Sequence, residues 1–174
     1  MKLIVPKATA KKLISMGVID DVTLTYTKNS AVFKSDEYTV YTRLIEGKYF
    51  AYQKMFTEGE INTCASRTAL IGAMTRAKMC TEEKQPAVFQ IEDDVLNISI
   101  RDKLADYQEQ VPLQETVCKS IRLGFDSRLV LETLKAFTCD NISLGFTSPR
   151  TPMIVEAEDS DMKAMVLPVA IREV

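Results

Sequence analysis

Closely spaced carboxylates are the first residues here that could do chemistry. Asp93-Asp94 and Glu158-Asp159-Ser160-Asp161 could hold Mg²⁺, which takes hard oxygen ligands. Both runs fall where hairpin turns are predicted, and acidic residues serve turns and solubility equally well, so no metal is expected. Histidine is absent altogether. That removes Ser-His-Asp and Cys-His nucleophiles, His-ligated zinc and any imidazole acid or base. The four cysteines, Cys64, Cys80, Cys118 and Cys139, form no Cys-x-x-Cys pair and read as buried, reduced thiols. The six glycines are scattered, so no phosphate-binding loop is present. Neither catalysis nor a cofactor is expected.

The remaining chemistry is charge. The chain carries 22 Lys+Arg and 24 Asp+Glu, a net −2, and that total gives no reason to expect a nucleic-acid partner. Its distribution does. The predicted helical segments 7–17, 66–80 and 127–137 hold Lys7, Lys11, Lys12, Arg67, Arg76, Lys78, Arg128 and Lys135 against the single acid Glu132, a net +7 that leaves −9 elsewhere. At about 100° per residue, Val130, Leu134 and Phe137 share one side of the last helix, with Arg128 and Lys135 opposite. In the first helix, Ala10, Leu13, Ile14 and Met16 are expected to face inward and Lys7, Lys11 and Lys12 outward. In the second, Arg67 and Lys78 align, while Arg76 falls away and could pair with a strand carboxylate. Basic helices side by side would neutralise phosphates without reading bases.

The elements that position these residues repeat. A unit of roughly 57 residues recurs three times, each a short strand, an amphipathic helix and three further strands. The first copy is Lys2–Val5, a helix over 6–17, then Val22–Thr27, Ala31–Lys34 and Tyr38–Ile45. The second is Glu60–Ala65, a helix over 66–80 capped by Ser66, then Ala87–Ile91, Val95–Ile100 and Tyr107–Val111, with a turn at Glu92-Asp93-Asp94. The third is Cys118–Phe125, a helix capped by Asp126 or Ser127 and running to Phe137, then Ile142–Phe146, Met153–Ala157 and Met162–Val169. The repeat predicts an α+β fold, with antiparallel sheets and a helix on one face of each module.

Several strings resemble a known family. Arg43-Leu44-Ile45-Glu46-Gly47-Lys48-Tyr49 with Tyr52, Phe146-Thr147-Ser148-Pro149-Arg150-Thr151-Pro152-Met153-Ile154-Val155, Met165-Val166-Leu167-Pro168-Val169 and the helix segment Leu131–Phe137 are similar to segments of bacterial β sliding clamps, the processivity subunit of DNA polymerase III. Phe50 stands where that family usually has Pro.

The resemblance implies a clamp fold of βαβββ modules, two per domain, with acidic sheets outside and helices lining a lumen around duplex DNA. It implies that residues 1–57 correspond to the second half of a clamp middle domain and 58–174 to a complete last domain, a short or truncated form. It implies no catalytic activity and a peptide groove for polymerase and clamp-loader subunits, formed by Phe50, Lys54, Met55, Arg150, Pro152, Met153, Met165, Val166, Leu167, Pro168 and Val169. Module one would lack a partner in its own chain, so self-association is expected. The other reading is a clamp-fold oligomerisation or regulatory peptide-binding module that does not encircle DNA. No apolar run reaches 18 residues, so no membrane span is expected, and the cytoplasm is the expected location.

Overall fold

A computed structural model describes residues 2–17, 21–80, 85–101, 106–158 and 160–171. The chain forms two compact units, Met1–Ala51 and Tyr52–Val174.

In the N-terminal unit, helix α1 (Lys7–Ser15) starts after Pro6, whose φ of −58° suits a helix entry, and closes at Gly17 with φ +65°. Strands β1 (Thr23–Tyr26), β2 (Ser30–Lys34) and β3 (Thr39–Arg43) form an antiparallel sheet in that order. The Thr9 and Thr42 hydroxyls meet at 2.8 Å, setting α1 against β3. Two expectations are corrected here. Lys2–Val5 is not a strand: its recorded backbone bond is Ile45 N–H to Ile4 O, at 2.9 Å. Ile14, expected inside, is 79% exposed, and α1 buries no residue fully. Such a helix draws little stability from packing, the usual source of it in water.

The C-terminal unit opens with a short 3₁₀ turn at Tyr52–Met55. It then runs β4 (Ile61–Ser66), α2 (Arg67–Met79), β5 (Ala87–Arg101), β6 (Asp106–Phe125), α3 (Ser127–Ala136), β7 (Asn141–Phe146), β8 (Met153–Ala157) and β9 (Ser160–Val166). The six strands form one antiparallel sheet in the order β5-β6-β4-β7-β8-β9. Both helices are capped by side chains: Ser66 Oγ accepts from Ala69 N–H and Asp126 Oδ1 from Arg128 N–H. Leu70, Ala73, Met74 and Ala77 of α2 and Val130, Leu131 and Leu134 of α3 bury against Phe89, Ile98, Leu123, Phe125 and Phe146 of the sheet.

The sheet corrects the predicted turns. Residues 87–101 are one strand, and Glu92-Asp93-Asp94 is a bulge within it rather than a hairpin turn. Asp93 takes φ +53°, a left-handed conformation that Asp tolerates because its short side chain can bond locally. Likewise Tyr107–Val111 and Cys118–Phe125 are parts of one 20-residue strand. Pro112 opposes Val95 and Leu113 opposes Ala65, so partners lie beside the polar stretch that reads as a break.

Candidate functional site

α2 and α3 lie beside each other and bury their apolar stripes in the sheet, which turns their polar faces outward. Five sequence-selected cations stand on them. Lys78, Arg128 and Lys135 are exposed, with Arg128 reaching back to its own cap carboxylate, Asp126, at 3.3 Å. Arg67 is half-buried, and its Nε donates to Cys139 O at 2.6 Å, so its charge is turned towards the protein. Arg76 is also committed. Its guanidinium makes two bonds to Glu109 of β6, at 2.8 and 2.5 Å, while the Tyr107 hydroxyl shares its one proton between the same carboxylate and Ala73 O, 2.9 Å away. The paired Arg76 guanidinium and the Tyr107 hydroxyl hold the Glu109 carboxyl down at about 2. The strand partner expected for Arg76 is therefore Glu109. Lys7, Lys11 and Lys12 are exposed on α1 of the N-terminal unit.

The expected groove residues divide. Met153 and Val166 belong to the hydrophobic core, 1% and 3% exposed, and present no side chain to a ligand. Both faces of β8 are covered here, Ile154 and Val155 being buried as well as Met153, and Val166 of β9 pairs directly with Met153. Arg150, Pro168 and Val169 come together with Leu123, Gly124 and Ile171 around a shallow cleft of about 420 Å³. Leu167 is exposed, Pro152 and Met165 are half-buried, and none of the three lines this cleft. Lys54 and Met55 are exposed on the 3₁₀ turn, while Phe50 is exposed in the N-terminal unit and stacks on Tyr49 at 4.9 Å.

Gly124 was missed from the sequence. Its backbone pairs with Val169, whose N–H donates to Gly124 O at 2.8 Å, and a Cβ there would sit 2.8 Å from Val169 O. Gly124→Ala should therefore push the 168–171 segment away and cost about 1–3 kcal/mol through overpacking. Urea unfolding of the variant, with hydrogen exchange at the Val169 amide, checks both effects. A variant as stable and as protected as the parent would count against this close approach.

The cysteines are free, as expected, but not buried: Cys118 is exposed and the other three are half-buried. Cys64 and Cys139 line a polar cleft of about 380 Å³, where partial burial pushes the Cys64 thiol up and away from the reactive thiolate. No metal-holding cluster occurs among the described residues. Glu158 sits on the β8–β9 turn, and Asp159 lies outside the described residues. No helix among the described residues is long and apolar enough to cross a membrane.

Residues 56–170 match the family described as DNA polymerase III beta subunit, C-terminal domain. The chain belongs to the β sliding clamp family. It is 24% identical over 155 residues to a beta sliding clamp of Staphylococcus aureus, covering 86% of this chain and 41% of that one. The solved structure of the Pseudomonas aeruginosa DNA polymerase III subunit beta aligns with a TM-score of 0.89 at 20% identity, over 98% of this chain and 48% of that one. The Bacillus subtilis DNA polymerase sliding clamp aligns with a TM-score of 0.86 at 17% identity, over 98% and 47%. At those identities the two structures establish the clamp fold. The chain spans about two-fifths of the length of the curated relatives it matches.

Proposed function

We propose that this chain is a non-catalytic sliding-clamp component that surrounds duplex DNA with its basic helices and holds polymerase and clamp-loader peptides in an apolar groove. In this reading residues 1–57 act as half of a clamp middle domain and 58–174 as the last domain, working in the bacterial cytoplasm. The observation that carries it is the segregation of charge. Lys7, Lys11, Lys12, Lys78, Arg128 and Lys135 are all exposed on helices, in a chain whose net charge is −2. A surface of that kind attracts a phosphate backbone while the acidic remainder is repelled by it. The cleft at Arg150, Pro168 and Val169 supports the peptide role for one wall of the groove. The commitment of Arg67 and Arg76 to protein acceptors favours the second reading, a peptide-binding or oligomerisation module that leaves DNA alone.

Salt dependence separates the two. Lys11→Glu combined with Lys135→Glu should flatten the slope of log K against log[salt] by about 2 units, because each lost phosphate contact releases roughly 0.9 counterion fewer. Retention of duplex DNA between 50 and 200 mM salt (roughly the range over which such binding collapses) is the readout. An unchanged slope would leave the second reading standing.

A further inference from the structure

α2 carries Arg67, Arg76 and Lys78 and no acid of its own; the carboxylate that meets it comes from the sheet. At about 100° per residue, the buried Leu70, Ala73, Met74 and Ala77 set one side of the helix, and Thr68, Thr75 and Met79 run along the line opposite them. That outermost line is uncharged. Arg76 stands about 70° round from it, on the flank towards β6, with 57% of its side chain exposed. From that position its methylene stem is long enough to bring the guanidinium to the outer line.

The guanidinium is held elsewhere. Arg76 Nε and Nη2 donate to the two oxygens of Glu109 at 2.8 and 2.5 Å, the paired fork geometry that makes charge-assisted bonds both strong and directional. The Tyr107 hydroxyl lies between the same carboxylate and Ala73 O of α2, so the acceptor is tied to the helix backbone as well as to its own strand. Gly72, one turn before Arg76, supplies the room, since a Cβ there would come within 3.1 Å of Nη2. An isolated exposed ion pair contributes next to nothing, and bidentate geometry within a network is the exception. Leaving Glu109 for a phosphate would break this fork and set an unpaired carboxylate near a polyanion, where like charges repel.

We propose that Glu109 is an internal competitor for Arg76. It occupies the guanidinium that would otherwise bond a phosphate, and so limits the number of backbone contacts made by the α2 face. This rests on the DNA reading above and adds to it how the strength of that face is set. Affinity and its salt dependence both grow with each phosphate neutralised, so a protein that moves along a duplex gains from withholding a contact.

Glu109→Gln should release the guanidinium. The slope of log K against log[salt] then steepens by about 0.9, which is about 3.5-fold more affinity lost between roughly 50 and 200 mM salt. Removing a negative charge favours DNA by itself, so the deciding measurement is the same substitution in an Arg76→Ala background, where the added slope should vanish. Lys135→Glu, measured alongside, tests the DNA reading and should flatten the slope. Far-ultraviolet circular dichroism checks that each variant is folded. In the parent protein, solvent exchange of the Arg76 Nε–H, followed by nuclear magnetic resonance, should be as slow with duplex as without it, and this measurement decides alone if Glu109→Gln does not fold. An unchanged slope in folded Glu109→Gln, with Lys135→Glu flattening it, overturns the proposal and leaves the DNA reading in place. So does a steepening that persists without Arg76, or an Arg76 Nε–H exchange that speeds up on adding duplex. If Lys135→Glu also leaves the slope unchanged, the DNA reading has failed and this proposal falls with it.

Discussion

Phe125→Ala should destabilise the C-terminal unit by about 3–5 kcal/mol, the range for emptying a large aromatic site in a packed core. Phe125 is fully buried, stands edge-on to Phe89 at 5.2 Å and pairs across the ladder with the equally buried Ala87. It also immediately precedes Asp126, the cap of α3. A cavity there would loosen the strand end that fixes the helix start, so little of the lost contact can be recovered by relaxation. Set against a total of roughly 5–15 kcal/mol for an ordinary domain, the loss leaves a marginal fold. Urea unfolding followed by circular dichroism measures it, with Phe125→Leu as a milder control because it keeps most of the volume. A loss below about 1 kcal/mol would mean that the site collapses freely, contrary to close packing.

The elements that could be read from the sequence were those whose signals are local. Ser66 and Asp126 announce their helices because an oxygen at that position accepts an orphan N–H, and both do so in the fold. Val130, Leu134 and Phe137 recur at helical spacing and are buried, leaving Arg128 and Lys135 exposed. The errors fall where a distant partner overrode a local signal. Asp93 and the stretch after Val111 both read as breaks, yet each sits within a strand whose neighbour runs past it, and the ladder absorbs the first as a bulge and pairs Pro112 of the second with Val95. Ile14 fails for the opposite reason: its periodicity is correct for an inward face, but no described element of its unit covers it.

The same division holds for the site. Charge sorted by element identified the exposed cations of α1, α2 and α3 among the described residues, while Arg67, sorted with them, is half-buried because it turns to Cys139 O. Burial at Met153 and Val166 was misjudged because an apolar strand residue reads alike whether it lines a groove or a core, and only the opposing helices distinguish them. Gly124 gave no local signal, since its role depends on Val169, which is 45 positions away in the chain. That Arg76 would seek a carboxylate was legible from its place on the helix wheel. Which carboxylate it finds depends on the β5–β6 hairpin, whose register sets Glu109 opposite Ile98 and beside the helix.

Glu109→Gln should lower stability by about 1 kcal/mol at pH 7, and the deficit should fade in acid. The carboxylate accepts two guanidinium bonds and one phenol bond, which hold its pKa at about 2 against an ordinary value of 4.5. A depressed acid stabilises the fold where it is ionised in both states, so the contribution is complete above pH 4.5 and is lost as pH falls towards 2. The side chain is 26% exposed and Arg76 more so, and solvent screening is the reason for setting the magnitude near 1 kcal/mol rather than at the full linkage value. The glutamine variant keeps the shape but cannot ionise, so it should lie below the parent at pH 7 and approach it by pH 3, where more than half of the interval has been crossed. Thermal melts of both proteins at pH 7, 5 and 3 supply the comparison, and a gap constant with pH would assign the loss to packing instead of charge. Arg76→Ala should lose stability in the same direction while leaving the DNA salt slope nearly unchanged, because that charge is already spent on Glu109. Lys135→Glu should reverse the pattern, with little effect on folding and a clear effect on the slope. If both substitutions flattened the slope equally, the Arg76–Glu109 pair would have to open on DNA, and the interface would extend over the whole face of α2.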